Sequence, residues 1–156
     1  MGVKTSLLVE GGGGPLAVCI AGANVNDHLL LAATLDAIVV ERPAPTPELP
    51  QHLCLDKGYD NALSRQVLEE RGYTEHIKRI GEEKKDDQGD ESHPARRWVH
   101  KCVNGVVERT FSWLQGWRGL LIRWEKKPQN YLANLKLACA FVWARRAFRT
   151  GSTLLK

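Results

Sequence analysis

QHLCLDKGYD, residues 51–60, is the stretch that decides the fold. Its first part, residues 52–56, is short, apolar and bounded by turn residues, which is typical of a buried strand in an α/β sheet. Residues 57–59 predict a turn after this strand. A helix capped by Asp60 or Asn61 is predicted to follow. The stretch therefore predicts a strand that ends in a carboxylate and leads directly into a helix.

The segments on both sides extend this α/β pattern. Residues 11–14 are four glycines between two β-compatible runs, which predicts a β-hairpin; no Gly-Lys-Ser/Thr follows that would indicate a phosphate-binding loop. Residues 82–94 are charged and aperiodic, which predicts an exposed loop. In chain order, the predicted elements are strands over 4–10 and 16–21, a helix over 28–38 capped by Asp27, the strand over 52–56, a helix that Gly72 ends after Arg71, a strand over 73–78, a helix over 95–124, and a helix that begins at Pro128.

Two apolar stripes organise the last two predicted helices. The first stripe consists of Val107, Phe111, Leu114, Trp117 or Arg118, and Leu121. The second stripe consists of Leu132, Leu135, Cys139, Val142 and Arg146. Residues spaced by three and four positions share one face of a helix, so each stripe is predicted to face a core.

Charge divides the chain into an acidic and a basic part. Residues 1–94 hold 9 Lys/Arg and 16 Asp/Glu, a net charge of −7, whereas residues 95–156 hold 13 and 2, a net charge of +11. All five tryptophans also lie in the second part. A basic segment rich in aromatic residues is typical of a protein that binds a polyanion, because cations attract phosphate and release its counterions. The alternative is a helical pair with tryptophans in its core and solvated arginines.

Composition limits the class of protein. The 156 residues are 43% hydrophobic and 26% charged, which predicts one globular domain and excludes disorder and collagen-like repeats. No apolar run approaches the ~18 residues of a membrane span, and the first 30 residues lack a signal-peptide pattern. We therefore expect a cytoplasmic protein without membrane contact. The four cysteines are far apart in apolar runs, which predicts reduced core residues.

Two carboxylates stand out as candidate catalytic residues. Asp56 is predicted at the carboxyl end of a central strand, where α/β sheets place their ligands; the alternative is an ordinary turn or cap carboxylate. Glu108 is one of only two acidic residues after position 94, and it lies opposite the apolar stripe of its helix. Its alternative role is an ion pair, for example with Arg97 or Lys101. Together, the two carboxylates are suited to hold Mg²⁺ or Mn²⁺, which prefer oxygen ligands and promote phosphodiester displacement in two-metal sites.

Three segments of the chain resemble a known family. They are LLVEGGGGPLAVCIAGANVND, QHLCLDKGYD and VVERTFSWLQGWRGLLIRWEKKPQNYLANLKLACAFVW, in this order. They closely resemble the catalytic domain of bacterial insertion-sequence transposases with a DDE triad, in the group called insertion-sequence family 5. The resemblance extends from about Gly2 to Ala147. It implies a ribonuclease-H-like fold, a five-stranded mixed sheet in the order 3-2-1-4-5, in which Asp56 is the second acidic residue of the triad and Glu108 the third.

The chain departs from the family pattern at two points. The family's first catalytic Asp lies on strand 1, whereas this chain begins at about strand 2, and Glu10 cannot replace that Asp because it lies at the far end of its strand. Gln115 stands where the family often has a lysine. We therefore expect a single partial catalytic domain over 1–156, lacking its central strand. Its parts would be an Asp-bearing sheet region over 1–81, the exposed loop over 82–94 and basic helices over 95–149.

The resemblance implies a function in DNA transposition. The complete enzyme is expected to cleave and join DNA at insertion-sequence ends with two Mg²⁺ (or Mn²⁺) ions, and this chain alone is expected to be inactive and poorly stable. Its expected partners are terminal inverted repeats, target DNA, and either a second copy or an upstream transposase segment, which implies a location at the nucleoid. The alternative function is a non-catalytic DNA-binding fragment that inhibits the full transposase. Candidate DNA contacts are Arg97, Lys101, Arg109, Arg118, Arg123, Lys126 and Lys127, with Trp113 or Trp117 either stacked on an exposed base or packed between the last two helices.

Overall fold

The computed structural model describes residues 2–77, 105–122 and 124–154, with side chains up to Arg149. The elements are β1 (Val3–Val9), β2 (Pro15–Gly22), α1 (Asp27–Asp36), β3 (Gln51–Leu55), a 3-10 turn (Lys57–Tyr59), α2 (Ala62–Glu70), β4 (Tyr73–Ile77), α3 (Val106–Gln115), α4 (Arg118–Leu121) and α5 (Pro128–Leu154). This confirms the predicted α/β class.

The described strands form two sheets of two strands each. β1 and β2 pair antiparallel, which confirms the predicted hairpin, and β3 and β4 pair parallel. A parallel pair needs a long crossover, and α2 provides it between β3 and β4. The five-stranded order implied by the resemblance stays a prediction, since residues 2–77, 105–122 and 124–154 contribute these four strands only.

Helices cover both faces of the hairpin because its side chains alternate. Leu7 of β1 stands opposite Val18 of β2, and both pack into a core with Leu114 of α3 and Leu135 of α5. The neighbouring position, Leu8, faces the other way, toward α1. The hairpin is therefore the middle layer between α1 on one side and α3 to α5 on the other.

A second core joins the two sheets through α1. Leu31 and Leu35 of α1 are buried in one cluster with Leu53 of β3 and Leu68 of α2. Leu8 of β1 packs against the same cluster. The cluster therefore fixes the strand that leads to Asp56 relative to the hairpin.

Local signals set the helix ends, with one correction. The side chain of Asn61 accepts a hydrogen bond of 2.9 Å from the backbone N–H of Ser64, so Asn61 caps α2, and Gly72 follows its end with a φ of 68°. The prediction that Asp27 caps α1 is wrong, because Asn26 occupies the cap position without a side-chain cap bond. Asp27 lies in the first turn instead, where its charge stabilises the helix dipole.

The apolar stripe predicted for the helix over 95–124 is only partly correct. Leu114 is buried, but Val107 and Leu121 are exposed, and Thr110 and Leu120 take buried positions. The described part of this helix breaks between α3 and α4, where the backbone of Trp117 is extended, and the break changes which residues face the core. Residues 95–104 and the loop predicted over 82–94 lie outside the described residues. The second stripe is confirmed, since Leu132, Leu135, Cys139 and Val142 pack in the first core.

The cysteine prediction is wrong at one position. Cys54 is disulfide-bonded, whereas Cys19 and Cys139 are free thiols. Cys102 lies outside the described residues. In the part of the chain that the structure describes, no helix is both long and apolar enough to cross a membrane.

Candidate active site

Asp56 follows the last residue of β3 and begins the 3-10 turn. Its backbone is extended, and its Oδ1 accepts a hydrogen bond of 2.6 Å from the backbone N–H of Lys57. The side chain is exposed. The cap role that we weighed as the alternative is therefore real, but it does not exclude a ligand role, since a carboxylate has about four acceptor sites on two oxygens.

Tyr59 connects the Asp56 turn to the hairpin. Burial raises the pKa of Tyr59, the negative charges of Asp27 and Asp56 raise it further, and a hydrogen bond with the side chain of Ser6 opposes them. Both Asp56 and Asp27, in the first turn of α1, therefore act on the same tyrosine. Ser6 and Tyr59 could not be identified from the sequence as site residues, because their contact joins residues more than 50 positions apart.

Glu108 lies in the first turn of α3. The helix begins after Gly105, whose φ of 57° favours glycine, and the Glu108 side chain is exposed. A carboxylate is stabilised at this position because the helix N-terminus carries partial positive charge. Within residues 2–77, 105–122 and 124–154 no ion pair of Glu108 is present. Arg97 and Lys101, the partners considered for such a pair, lie outside this part of the chain.

The two residues after Glu108 anchor α3 to the glycine turn of the hairpin. Thr110 is fully buried, and its Oγ1 donates a hydrogen bond of 2.7 Å to the carbonyl of Gly13, which has a φ of 93°. Nη2 of Arg109 donates one of 3.2 Å to the carbonyl of Gly12. The orientation of the Glu108 helix is therefore set by a turn almost 100 residues earlier.

The last helix holds the same turn from the other side. Nε1 of Trp143 donates a hydrogen bond of 2.7 Å to the carbonyl of Pro15, and Nη1 of Arg146 lies 2.8 Å from Oε1 of Glu10. The Glu10 carboxylate also accepts hydrogen bonds from the backbone N–H groups of Gly12 and Gly14, at 2.6 and 2.7 Å. Glu10 is thus a structural residue of the turn.

The Glu10 carboxylate favours its ionised form although it is partly buried. Burial opposes the charge, but the two backbone N–H groups and the positive charge of Arg146 outweigh this effect and lower the pKa of Glu10. The glycine turn can be predicted from the sequence, but its contacts with α3 and α5 cannot. The four glycines lack a phosphate-loop motif, and this was the one signal in the sequence that the turn has a structural role.

Asp56 and Glu108 are the candidate metal ligands among the described residues. Asp56 and Glu108 are exposed oxygen donors, which are the donor type that Mg²⁺ and Mn²⁺ prefer. Residues 2–77, 105–122 and 124–154 contain no group of three or more His, Cys, Asp or Glu side chains placed to hold a metal ion. The two carboxylates fit a hard divalent cation in chemistry and exposure, and each lies at the end of a separate element.

The predicted DNA contacts lie near Glu108 and before α5. Arg109, Arg118, Lys126 and Lys127 are all exposed. Arg109 also lies over the ring of Trp113, 5.6 Å from its centroid. Arg97, Lys101 and Arg123 lie outside the described residues.

Two tryptophans contact other elements through their rings. The Trp117 ring packs against Phe141 of α5 at a centroid distance of 5.0 Å. Trp143 binds the hairpin, as described above. Both tryptophans are still about 40% exposed. Packing between the last helices, the alternative that we considered for Trp117, is therefore present.

The described residues thus form an α/β domain in which an exposed Asp follows a strand and an exposed Glu lies in the first turn of a helix. Comparison with known families gives the family. The family model for the transposase DDE domain matches residues 1–143, so the chain belongs to the DDE transposase family.

One relative supports the same family. The chain is 34% identical over 151 residues to a Burkholderia cepacia protein described as a transposase for insertion sequence element IS402. The alignment covers 90% of this chain and 62% of the relative, so the chain spans less than two thirds of that protein's length. No solved structure matches the chain.

Proposed function

We propose that this chain forms part of the catalytic domain of an insertion-sequence transposase and contributes two metal-binding carboxylates, Asp56 and Glu108. The observation that carries the proposal is their position. Asp56 is exposed at the carboxyl end of β3, and Glu108 is exposed on a helix fixed to the hairpin by the Thr110 hydrogen bond. In a chain of the DDE transposase family, two exposed carboxylates of this kind would suit a site for phosphodiester chemistry.

The proposed substrate is DNA at the ends of the element and at the target. When bound, Mg²⁺ or Mn²⁺ would activate the attacking oxygen and neutralise the leaving oxygen of the phosphodiester. Asp56 and Glu108 would hold the ions. The exposed cations Arg109, Arg118, Lys126 and Lys127 would bind backbone phosphates. The proposed reaction is cleavage of the element's ends and joining of the freed 3′-hydroxyl to target DNA.

The proposed fold is ribonuclease-H-like. In this proposal, the antiparallel β1–β2 pair and the parallel β3–β4 pair would be the two outer halves of a sheet in the order 3-2-1-4-5. The support is that Leu53 of β3 belongs to the core cluster against which Leu8 of β1 packs. A strand that carries a further Asp, placed between β1 and β3, would complete both the sheet and the site. This chain alone is then expected to lack nicking activity.

Binding of Mn²⁺ tests the carboxylates without requiring catalysis. Electron paramagnetic resonance titration of the chain with Mn²⁺ is expected to show a site whose affinity falls at least tenfold in Asp56→Asn and in Glu108→Gln. Glu48→Gln, which changes an exposed carboxylate in the proline-rich segment, is the matched control and is expected to bind Mn²⁺ like the original chain. Equal affinity in all four proteins would contradict the proposal.

Nicking of element-end DNA in Mn²⁺ tests the reaction. If the chain alone nicks DNA and Asp56→Asn abolishes this nicking, the metal-binding role of the carboxylates is supported. The expected inactivity of the chain is then contradicted. Salt-sensitive DNA binding without Mn²⁺ binding would instead support a non-catalytic DNA-binding fragment that inhibits the full transposase.

A further inference from the structure

The outer face of α5 carries an apolar stripe that the two cores do not use. Leu137, Phe141, Ala144 and Phe148 follow one another at spacings of four, three and four residues, so they share one face of the helix. Phe141 is 51% exposed and Phe148 is 79% exposed. The opposite face holds the buried residues Leu135 and Ala138. The stripe is therefore a surface, and its aromatic rings are in contact with solvent.

Arginines border this stripe and form an open groove with it. The groove is lined by Phe141, Ala144, Arg145, Phe148 and Arg149, and we call it the α5 groove. The ring of Trp117 packs against Phe141, at a centroid distance of 5.0 Å. Along the helix from Pro128 to Arg149, the sequence has Lys136 and three arginines but no Asp or Glu. Arg146 pairs with Glu10, whereas Arg145 and Arg149 line the groove, so the groove has a basic border.

These features favour one kind of occupant. A second copy of this helix would bring the same cations against the groove, and like charges in contact oppose association. Duplex DNA would satisfy the arginines but keeps its base faces stacked inside the helix. An unpaired strand offers phosphate to the arginines and base faces to the phenylalanines at the same time, which is how single-stranded nucleic acid is bound elsewhere.

We propose that the α5 groove binds unpaired nucleotides of DNA, with Phe148 and Phe141 stacking on bases and Arg145 and Arg149 contacting phosphates. The inference rests on the proposed function for the choice of DNA as the ligand. It adds a site that is separate from Asp56 and Glu108. Such a site would hold a strand that has separated from its complement near a cleaved end.

Fluorescence anisotropy of the full chain tests the groove directly. Labelled oligothymidine, as the single strand, is compared with a duplex of equal length at one salt concentration. Stacking contributes about 1–3 kcal/mol per base, so Phe148→Ala is expected to weaken single-strand binding at least fivefold and duplex binding less than twofold. Phe148 is 79% exposed, so its replacement leaves the cores intact. Leu49→Ala is the control at a similarly exposed apolar residue, 76% exposed and far along the chain from α5, and it should change neither affinity.

Three results would overturn the proposal. They are absence of single-strand binding by the original chain, equal effects of Phe148→Ala on both DNA forms, and sedimentation showing that Phe148→Ala separates a dimer without changing single-strand affinity. The last result would assign the groove to a second copy. Mn²⁺ binding is measured on the same variants, so the failure of the carboxylate site and the failure of the groove are distinguishable.

Discussion

The hydroxyl of Thr110 lies 2.7 Å from the carbonyl oxygen of Gly13, and this hydrogen bond joins the helix that carries Glu108 to the turn of the hairpin. The same hydroxyl lies 3.0 Å from the carbonyl of Val106, one turn earlier in the helix. A hydroxyl has one proton, and the shorter distance favours donation to Gly13. A buried polar residue inside an apolar stripe is thus explained by a partner in another element.

Replacement of Thr110 by Val is expected to destabilise the chain. The substitution keeps the shape of the side chain but leaves the buried carbonyl of Gly13 without its donor, which costs about 1–3 kcal/mol. Urea unfolding followed by circular dichroism measures this loss. Ser112→Ala is the control, because the exposed Ser112 hydroxyl bonds only its own helix at Glu108. Equal stability of Thr110→Val and the original chain would contradict the anchoring role.

The glycine turn gives a second pair of variants. A Cβ added at Gly14 would clash with Cζ2 of Trp143, so the indole, which donates a hydrogen bond to the carbonyl of Pro15, must shift. We expect Gly14→Ala to destabilise the chain by about 1–3 kcal/mol and to shift tryptophan fluorescence. A Cβ at Gly11 would meet nothing within 4 Å, so Gly11→Ala should change stability by less than about 0.5 kcal/mol. A larger loss from Gly11→Ala than from Gly14→Ala would show that the turn is not packed as described.

The histidine pair between β3 and β4 predicts a dependence of stability on pH. Nδ1 of His52 lies 2.8 Å from Nε2 of His76, so one ring must donate a proton and the other must accept it. Burial lowers the pKa of His76, and the positive charge of His52 lowers it further, whereas Glu75 opposes the shift. The unfolded chain therefore binds the proton more readily than the folded one.

The sign of the effect follows from this difference. The stability that the pair contributes is fully present above the ordinary histidine pKa of about 6.5 and is lost as the pH falls through the lower pKa of folded His76. The urea midpoint should fall between pH 7.5 and pH 5.5, and His76→Asn should reduce that slope. The control is His28→Asn, which replaces a histidine of α1 outside this pair and should leave the slope unchanged. A midpoint that is constant over this range would contradict the prediction.

Local signals account for the parts of the fold that sequence predicted correctly. The side chain of Asn61 and the φ of Gly72 act within a few residues of α2, so the helix ends can be predicted from neighbours in the chain. The position of Asp56 at a strand end follows from the same local pattern. The burial of Thr110 could not be predicted, because its partner Gly13 is 97 residues away. The pairing of Glu10 with Arg146 is similarly remote, and no periodicity in either segment indicates it.

Salt dependence separates residues that contact DNA from residues that only add charge. Each phosphate neutralised by a cation on duplex DNA contributes about −0.9 to the slope of log K against log salt. Arg118 is exposed at the start of α4, so Arg118→Gln is expected to weaken duplex binding and to reduce the magnitude of the slope by about one. Arg42→Gln is the control, since Arg42 lies over the ring of Tyr73, in the acidic part of the chain, and its loss should leave the slope unchanged. If the two variants changed the slope equally, Arg118 would act through net charge alone and would not contact a phosphate.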